Sequence, residues 1–506
     1  MKEIYIVIIF ILMSCSELPI RDVASLEKNT TTNPQNTKFY PYRVESNVPH
    51  KMKIINNGTE AFYKRIEMIK SARETLELEY FIFNPDHSGR IIATELANAA
   101  KRKVKVRVLI DKSVAVLALD EFYAKFFKEN NIEIRYYNAA PVTQIISVQF
   151  RNHRKLIVRD NEEAITGGRN IADEYFNLSE EFNFLDRDVY VKGEIVKAMR
   201  DSFENYWNSA IVEIPKKPKL VFRNHYLTKK DYIKNLNKYK NDELNAKKIF
   251  SLTEEDLKIY DFVMNYGEKL FNDQNLKICN NVTFATDKEG ANFVKHLDFI
   301  NYDKNFRYLR NEISNWIKKV DQELIADSPY FLNDFRSRKH LIDLLKSNKK
   351  VTILTNSLAS TDATYVATTF NDDVKFYAPF DNFSANIMNG KFSNESELFS
   401  EKNKNAIWGT HSKTLVFNDK DFMVGTFNID HRSNFYNSEM AIFCEGSVDL
   451  TKDIKDNIFE RMKSSVHLNK LGRPDKGQKL LENTTTDKKI MYFLLKIPAR
   501  LFKFLM

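Results

Sequence analysis

Two stretches of this 506-residue chain carry one pattern of polar residues at identical spacing, 258 positions apart. The first is His153-Arg-Lys155, then Asp160, then Gly167-Gly168-Arg169-Asn170. The second is His411-Ser-Lys413, then Asn418, then Gly425-Thr426-Phe427-Asn428. A repeat that preserves His, Lys and Asn while the residues between them drift constrains the fold strongly. It predicts two similar halves whose polar residues meet in one place.

The flanks say how each set is held. Leu156-Ile157-Val158 and Thr414-Leu415-Val416-Phe417 are short apolar runs rich in β-branched residues, so each His and Lys should open a buried strand. In a strand the His and Lys share one face, and Arg154 or Ser412 points away. Asp160-Asn161 and Asn418-Asp419 read as turns. Helical and strand patterns alternate on both sides of the motifs: helical 61–72, strand 75–83, helical 89–102 and strand 104–111. The order recurs as 312–320, 323–327, 337–346 and 351–355. That alternation predicts an α/β fold of two α/β sandwich domains related by a pseudo-twofold, with His153 and His411 in the cleft between them.

Two imidazoles and two ammonium groups in one place suit phosphoryl transfer. One His can attack phosphorus while the other protonates the leaving alcohol and then deprotonates the acceptor. Lys155, Lys413, Asn170 and Asn428 would donate to the non-bridging oxygens, with Gly168 and Thr426 letting the backbone come close. These groups would neutralise the phosphoryl charge themselves, so no metal or cofactor is expected. HExxH, DxDxDG and GxxxxGK[ST] patterns are absent from the sequence.

HxKxxxxD followed by G-[GST]-x-N resembles the signature of the phospholipase D superfamily, in which two copies per chain are usual. Gly167 to Phe176, Gly425 to Ser433, Asn437-Ser438-Glu439-Met440, Tyr206-Trp207-Asn208-Ser209 and Thr355 to Asp362 are similar to the bacterial cardiolipin synthase C type. The resemblance implies the two-domain fold already expected. It also implies transfer of a phosphatidyl group to phosphatidylglycerol, from phosphatidylglycerol or phosphatidylethanolamine, through a phosphohistidine. A phospholipase D that uses water, and a phosphodiester nuclease, remain as alternatives. So does an inactive lipid-binding relative, because Asn418 stands where the family has Asp. The family's Asp, here Asp160, supports the fold around the motif, and Asn can still accept a hydrogen bond. Two acids are implied as partners that orient the His rings: Glu439 and, in the first half, Asp188 before Val-Tyr-Val.

The remaining regions concern placement in the cell. Residues 1–14 read as a lipoprotein signal peptide, and Leu12-Met13-Ser14-Cys15 matches a lipobox with Cys15 as the lipidation site. Residues 15–48 read as a flexible tether. Domains are expected over 49–214 and 301–470, joined by a linker or insertion over 215–300. Residues 471–506 form a basic amphipathic segment suited to a lipid interface. Cys444, in an apolar run, is expected as a buried free thiol. The net charge of +9 fits an anionic membrane surface or nucleic acid. No basic cluster interleaved with aromatics lies near the motifs, so phospholipids and a membrane surface are the expected partners and nucleic acid is not. The expected location is a bacterial membrane, periplasm-facing or outer if there are two.

Overall fold

The computed structural model describes residues 40–113, 120–139, 149–218, 228–290, 307–364, 373–392, 397–475 and 484–501. The expected signal segment, Cys15 and residues 15–39 of the expected tether lie outside the described residues.

Chain order gives β1 (Arg43–Ser46), β2 (His50–Ile55), β3 (Thr75–Tyr80), β4 (Lys105–Asp111) and β5 (Glu133–Tyr137). Next come β6 (Leu156–Arg159), β7 (Glu163–Gly167), β8 (Phe182–Leu185), β9 (Asp188–Lys192) and β10 (Val212–Glu213). The chain continues through β11 (Lys277–Cys279), β12 (Asn281–Thr286), β13 (Glu323–Asp327), β14 (Lys350–Asn356) and β15 (Phe383–Met388). Last are β16 (Ile407–Thr410), β17 (Thr414–Phe417), β18 (Asp421–Gly425), β19 (Met440–Glu445) and β20 (Ser465–Leu468).

Two nine-stranded sheets result, ordered β10-β5-β4-β3-β6-β7-β9-β2-β11 and β20-β15-β14-β13-β17-β18-β19-β12-β1. Position by position the two orders correspond, and so do the pairings. The strands carrying the motifs, β6 and β17, each lie antiparallel between a parallel-paired strand and the second arm of a hairpin. The internal repeat is therefore a repeat of topology.

The sheets face one another. One core joins Leu156, Val158, Ala164 and Val189 of the first sheet to Ile325, Val416, Val424 and Ile442 of the second. It also takes in Val196, Met199 and Phe203 of the helix Ile195–Trp207, and Leu450, Ile454 and Ile458 of the helix Val448–Lys463. Separate cores fill the outer faces. Ile66, Ile69 and Leu96 from the helices Gly58–Ser71 and His87–Lys101 cover one; Leu309, Ile313, Leu341 and Leu345 cover the other. The α/β expectation holds: helices cover the outer faces, and the two sheets share their inner faces with the helices Ile195–Trp207 and Val448–Lys463.

Three features differ from expectation. β1, in the stretch read as tether, pairs with β12 at the edge of the second sheet. Residues 215–300 are more than a linker: the helix Glu254–Leu270 buries Ile259 and Val263 in the first core, while β11 completes the first sheet and β12 enters the second. Cys444 is not a free thiol. It forms a disulfide with Cys279, joining β19 of one sheet to β11 of the other. The sequence hid this because 165 residues separate the two cysteines, and only the exchange of edge strands brings them together.

Candidate active site

Each motif His stands where its chain pairs with the opposite half. The His153 amide donates to the Ser438 carbonyl at 3.0 Å, and the His411 amide donates to the Leu185 carbonyl at 2.9 Å. β8 and β16 form a parallel two-stranded ribbon that sets the second register. A matching parallel bridge, Asn152 to Ser438, sets the first. The residue before each His is tied to a buried carboxylate. Asn152 donates to Glu79 at 2.6 Å, and Thr410 donates to Asp327 at 2.6 Å. Glu79 and Asp327 hold equivalent positions in β3 and β13, and buried arginines balance them: Arg154 for the first, Arg187 and Arg461 for the second.

Interlocking crosses the acids over. His153 Nδ1 lies 3.0 and 3.1 Å from the carboxylate oxygens of Glu439, which belongs to the second half. His411 Nδ1 lies 2.6 Å from Asp186, which belongs to the first. The sequence expectation of Asp188 is therefore corrected. Asp188 pairs with Arg65 at 2.9 Å and Arg169 at 3.2 Å, inside its own half. Register explains the difference: Gly167 pairs with Asp188, Gly425 pairs with Ala441, and two residues back from each are Asp186 and Glu439. Counting from the hairpin glycine, rather than from the start of the strand, would have found it.

Gly168 and Thr426 pack directly against these acids. A Cβ on Gly168 would stand 2.0 Å from Asp186 Oδ1, so only glycine leaves the carboxylate room. Thr426 spends its hydroxyl on Glu439 at 2.5 Å. Ser433 and Asn437 also donate to Glu439, at 2.8 and 3.2 Å, so this acid serves three donors besides His153.

Both ammonium groups are buried beside their imidazoles. Lys155 Nζ donates to the His153 carbonyl at 2.7 Å. Lys413 Nζ donates to the His411 carbonyl at 2.5 Å and lies 3.0 Å from His411 Nε2. Asn170 accepts from the Ile82 amide at 3.2 Å and donates to Tyr175 Oη at 2.8 Å. Asn428 is buried, and its Oδ1 has no hydrogen-bond partner among the described residues. Aromatic rings wall both imidazoles: Phe81 lies 5.2 Å from His153, while Phe184 and Tyr175 lie 4.5 and 5.2 Å from His411. Sequence reading missed all three rings.

The turn residues act as supports. Asp160 accepts from the amides of Arg73, Glu74 and Thr75, and Asn418 accepts through Oδ1 from those of Asp321, Gln322 and Glu323. Both sit in the left-handed region, at φ 50° and 63°, which Asn and Asp tolerate. The Asn at the second position thus caps its strand as the Asp does.

Burial governs the charges. It draws His153 down to about 4, against the pull of Glu439, and His411 down in the same sense, against Asp186. It lowers Lys155 to about 7 and Lys413 to about 8. Burial disfavours charge on Asp186 and Glu439 too, but the adjacent His and Lys outweigh it and hold both acids below their ordinary range. Lys155 feels Glu439, Lys413 and Asp186 together, so the two motifs occupy one electrostatic site. Burial thus draws protons off all four basic groups, and a phosphodiester anion bound among them would favour their charged forms.

Two interlocked α/β halves with paired HxK strands, each His completed by an acid from the other half, define an enzyme of the phospholipase D superfamily. The pattern of the family described as "Cardiolipin synthase, PLD-like domain" matches residues 65–207 and 313–463, and the chain belongs to that family. It is 25% identical over 405 residues to cardiolipin synthase C of Escherichia coli, covering 77% of this chain and 80% of that one. An uncharacterized protein of Helicobacter pylori is 27% identical over 461 residues, covering 85% of this chain and 83% of its own. The crystal structure of phosphatidylserine synthase from Haemophilus influenzae has the same fold. It superposes with a TM-score of 0.61 at 12% identity, covering 91% of this chain and 98% of that one.

Proposed function

We propose that this protein is a phosphatidyltransferase of the cardiolipin synthase type, moving a phosphatidyl group onto phosphatidylglycerol through a phosphohistidine. The observation that carries the reading is the crossed arrangement of His153 with Glu439 and His411 with Asp186. Each carboxylate engages Nδ1, which fixes the tautomer and turns Nε2 toward the reacting phosphorus. One Nε2 attacks phosphorus, forming an N–P bond as the P–O bond to the head alcohol breaks. The other imidazolium gives that alcohol its proton. A hydroxyl of phosphatidylglycerol then attacks phosphorus, passing its proton to the second imidazole as the N–P bond breaks. Lys155, Lys413 and Asn428 stabilise charge on the non-bridging oxygens. The name of the Escherichia coli relative supports cardiolipin as product, and phosphatidylglycerol or phosphatidylethanolamine as donor fits the same steps.

We also propose attachment to a membrane by lipid at Cys15, facing an oxidising compartment. The Cys279–Cys444 disulfide supports that placement, since such bonds persist outside the reducing cytosol. The test is lipid analysis of the purified protein with phosphatidylglycerol, with and without phosphatidylethanolamine, in the presence of EDTA. Cardiolipin is expected. Phosphatidic acid alone would mean that water is the acceptor, and loss of activity to EDTA would mean that a metal supplies the charge assigned to the lysines.

A further inference from the structure

The helix Thr486–Leu501 has two opposite stripes. Ile490, Phe493, Leu494 and Ile497 recur at i, i+3, i+4 and i+7, which puts them on one face. That face is bare: Phe493, Leu494 and Ile497 are 70%, 66% and 73% exposed. Lys488, Tyr492 and Leu495 lie on the other side and are half-buried. No helix among the described residues is long and apolar enough to cross a membrane. Four large apolar residues on one exposed face still need a partner.

The root of this helix is fixed at the cleft. Lys488 Nζ donates to the carbonyls of Ala359 and Thr361 at 3.2 and 2.7 Å. It stands 5.7 Å over the ring of Phe182, whose neighbour Phe184, at 4.9 Å, packs on His411. Asp362 links the same places: its charge acts on Lys488, His411 and Lys413, and its carboxylate accepts from Tyr330. Two aromatic rings, Phe182 and Phe184, therefore stand between the helix root and a motif imidazole.

We propose that this helix lies in the interface of an anionic phospholipid bilayer, and that Lys488 locks it to the His411 side of the cleft so that the cleft opens onto the lipid surface. Charge complementarity selects this occupant. Beyond Lys488, which is spent on those carbonyls, residues 489–506 contain four Lys or Arg and no Asp or Glu, the composition of an interfacial helix on acidic headgroups. The purpose of the arrangement rests on the phosphatidyltransferase reading; the binding itself does not. A substrate held in the leaflet would reach the imidazoles without leaving the bilayer, because Lys488 ties the anchor to the loop and the ring that border the site.

Two measurements on the full-length protein test it. In a Phe493→Trp protein, vesicles containing brominated phosphatidylglycerol are expected to quench the new fluorescence, and vesicles of brominated phosphatidylcholine to do so much less. In a Phe493→Glu, Ile497→Glu protein, turnover of phosphatidylglycerol in vesicles is expected to fall at least tenfold, while turnover of the same lipid dispersed in detergent micelles stays near normal. Absence of quenching together with unchanged turnover on vesicles would overturn the proposal. So would a wild-type dimer that the double substitution converts to a monomer without any quenching, because the face would then be a contact between copies. Quenching by a protein that turns over no lipid would keep the anchor and defeat the phosphatidyltransferase reading.

Discussion

Replacing Asp186 by Asn keeps the shape of the side chain 2.6 Å from His411 Nδ1 but removes the charge that orients and supports the ring. Turnover is expected to fall at least about a hundredfold with little change in Tm. Asp188, two residues on, predicts the opposite split. Its removal leaves Arg65 and Arg169 buried without their carboxylate, at about 3–5 kcal/mol of stability. Kinetics and thermal melting of the two variants, side by side, check the assignment. Asn418→Asp should be nearly silent, because the three amides it caps can donate to an amide or a carboxylate oxygen alike, whereas Asn418→Ala should cost about 2 kcal/mol. At this scale the His, Lys and Asn of the motifs were legible, since nothing else explains their fixed spacing. Asp186 was not, because its role depends on which residue pairs with Gly167. The rings of Phe81, Tyr175 and Phe184 were hidden for a related reason: a sequence does not say which aromatics fold over which imidazole.

Strands and helices carry a different lesson. The alternation of helical and strand patterns around the motifs was enough to give two α/β halves, because buried parallel strands and their covering helices have strong periodicities. The exchange of edge strands was not legible. β1 and β11 are four and three residues long, and each completes the sheet of the half to which it does not adjoin in sequence. A strand so short has little pattern of its own, and its place is set by the edge that accepts it. The disulfide between β11 and β19 follows from that exchange and ties the two sheets together. Closing a long loop, it should contribute about 2–4 kcal/mol. Chemical denaturation of the Cys279→Ser, Cys444→Ser protein, compared with the native one, measures this. A midpoint that does not move would mean that the interlocked strands alone hold the halves in register.

For the molecule as a whole, the site exists only when both halves are present, since each His takes its acid from across the interface. Burial sets its pH response. Lys155 and Lys413 carry charge below about 7 and 8 and lose it above, so kcat/KM should decline as pH rises through that window. A rate profile from pH 5 to 10 checks the sign, and a kcat/KM that keeps rising to pH 10 would show that neither ammonium is needed. The central claim, one site shared by two imidazoles with a covalent intermediate, is tested most directly by intact-mass measurement. The protein is mixed with phosphatidylglycerol, quenched in alkali within milliseconds and weighed beside its His153→Ala and His411→Ala variants. The account predicts one phosphatidyl adduct per chain on a single motif His, none on the variant lacking that His, and no cardiolipin from either variant. Cardiolipin formed at a near-normal rate by either variant would contradict it.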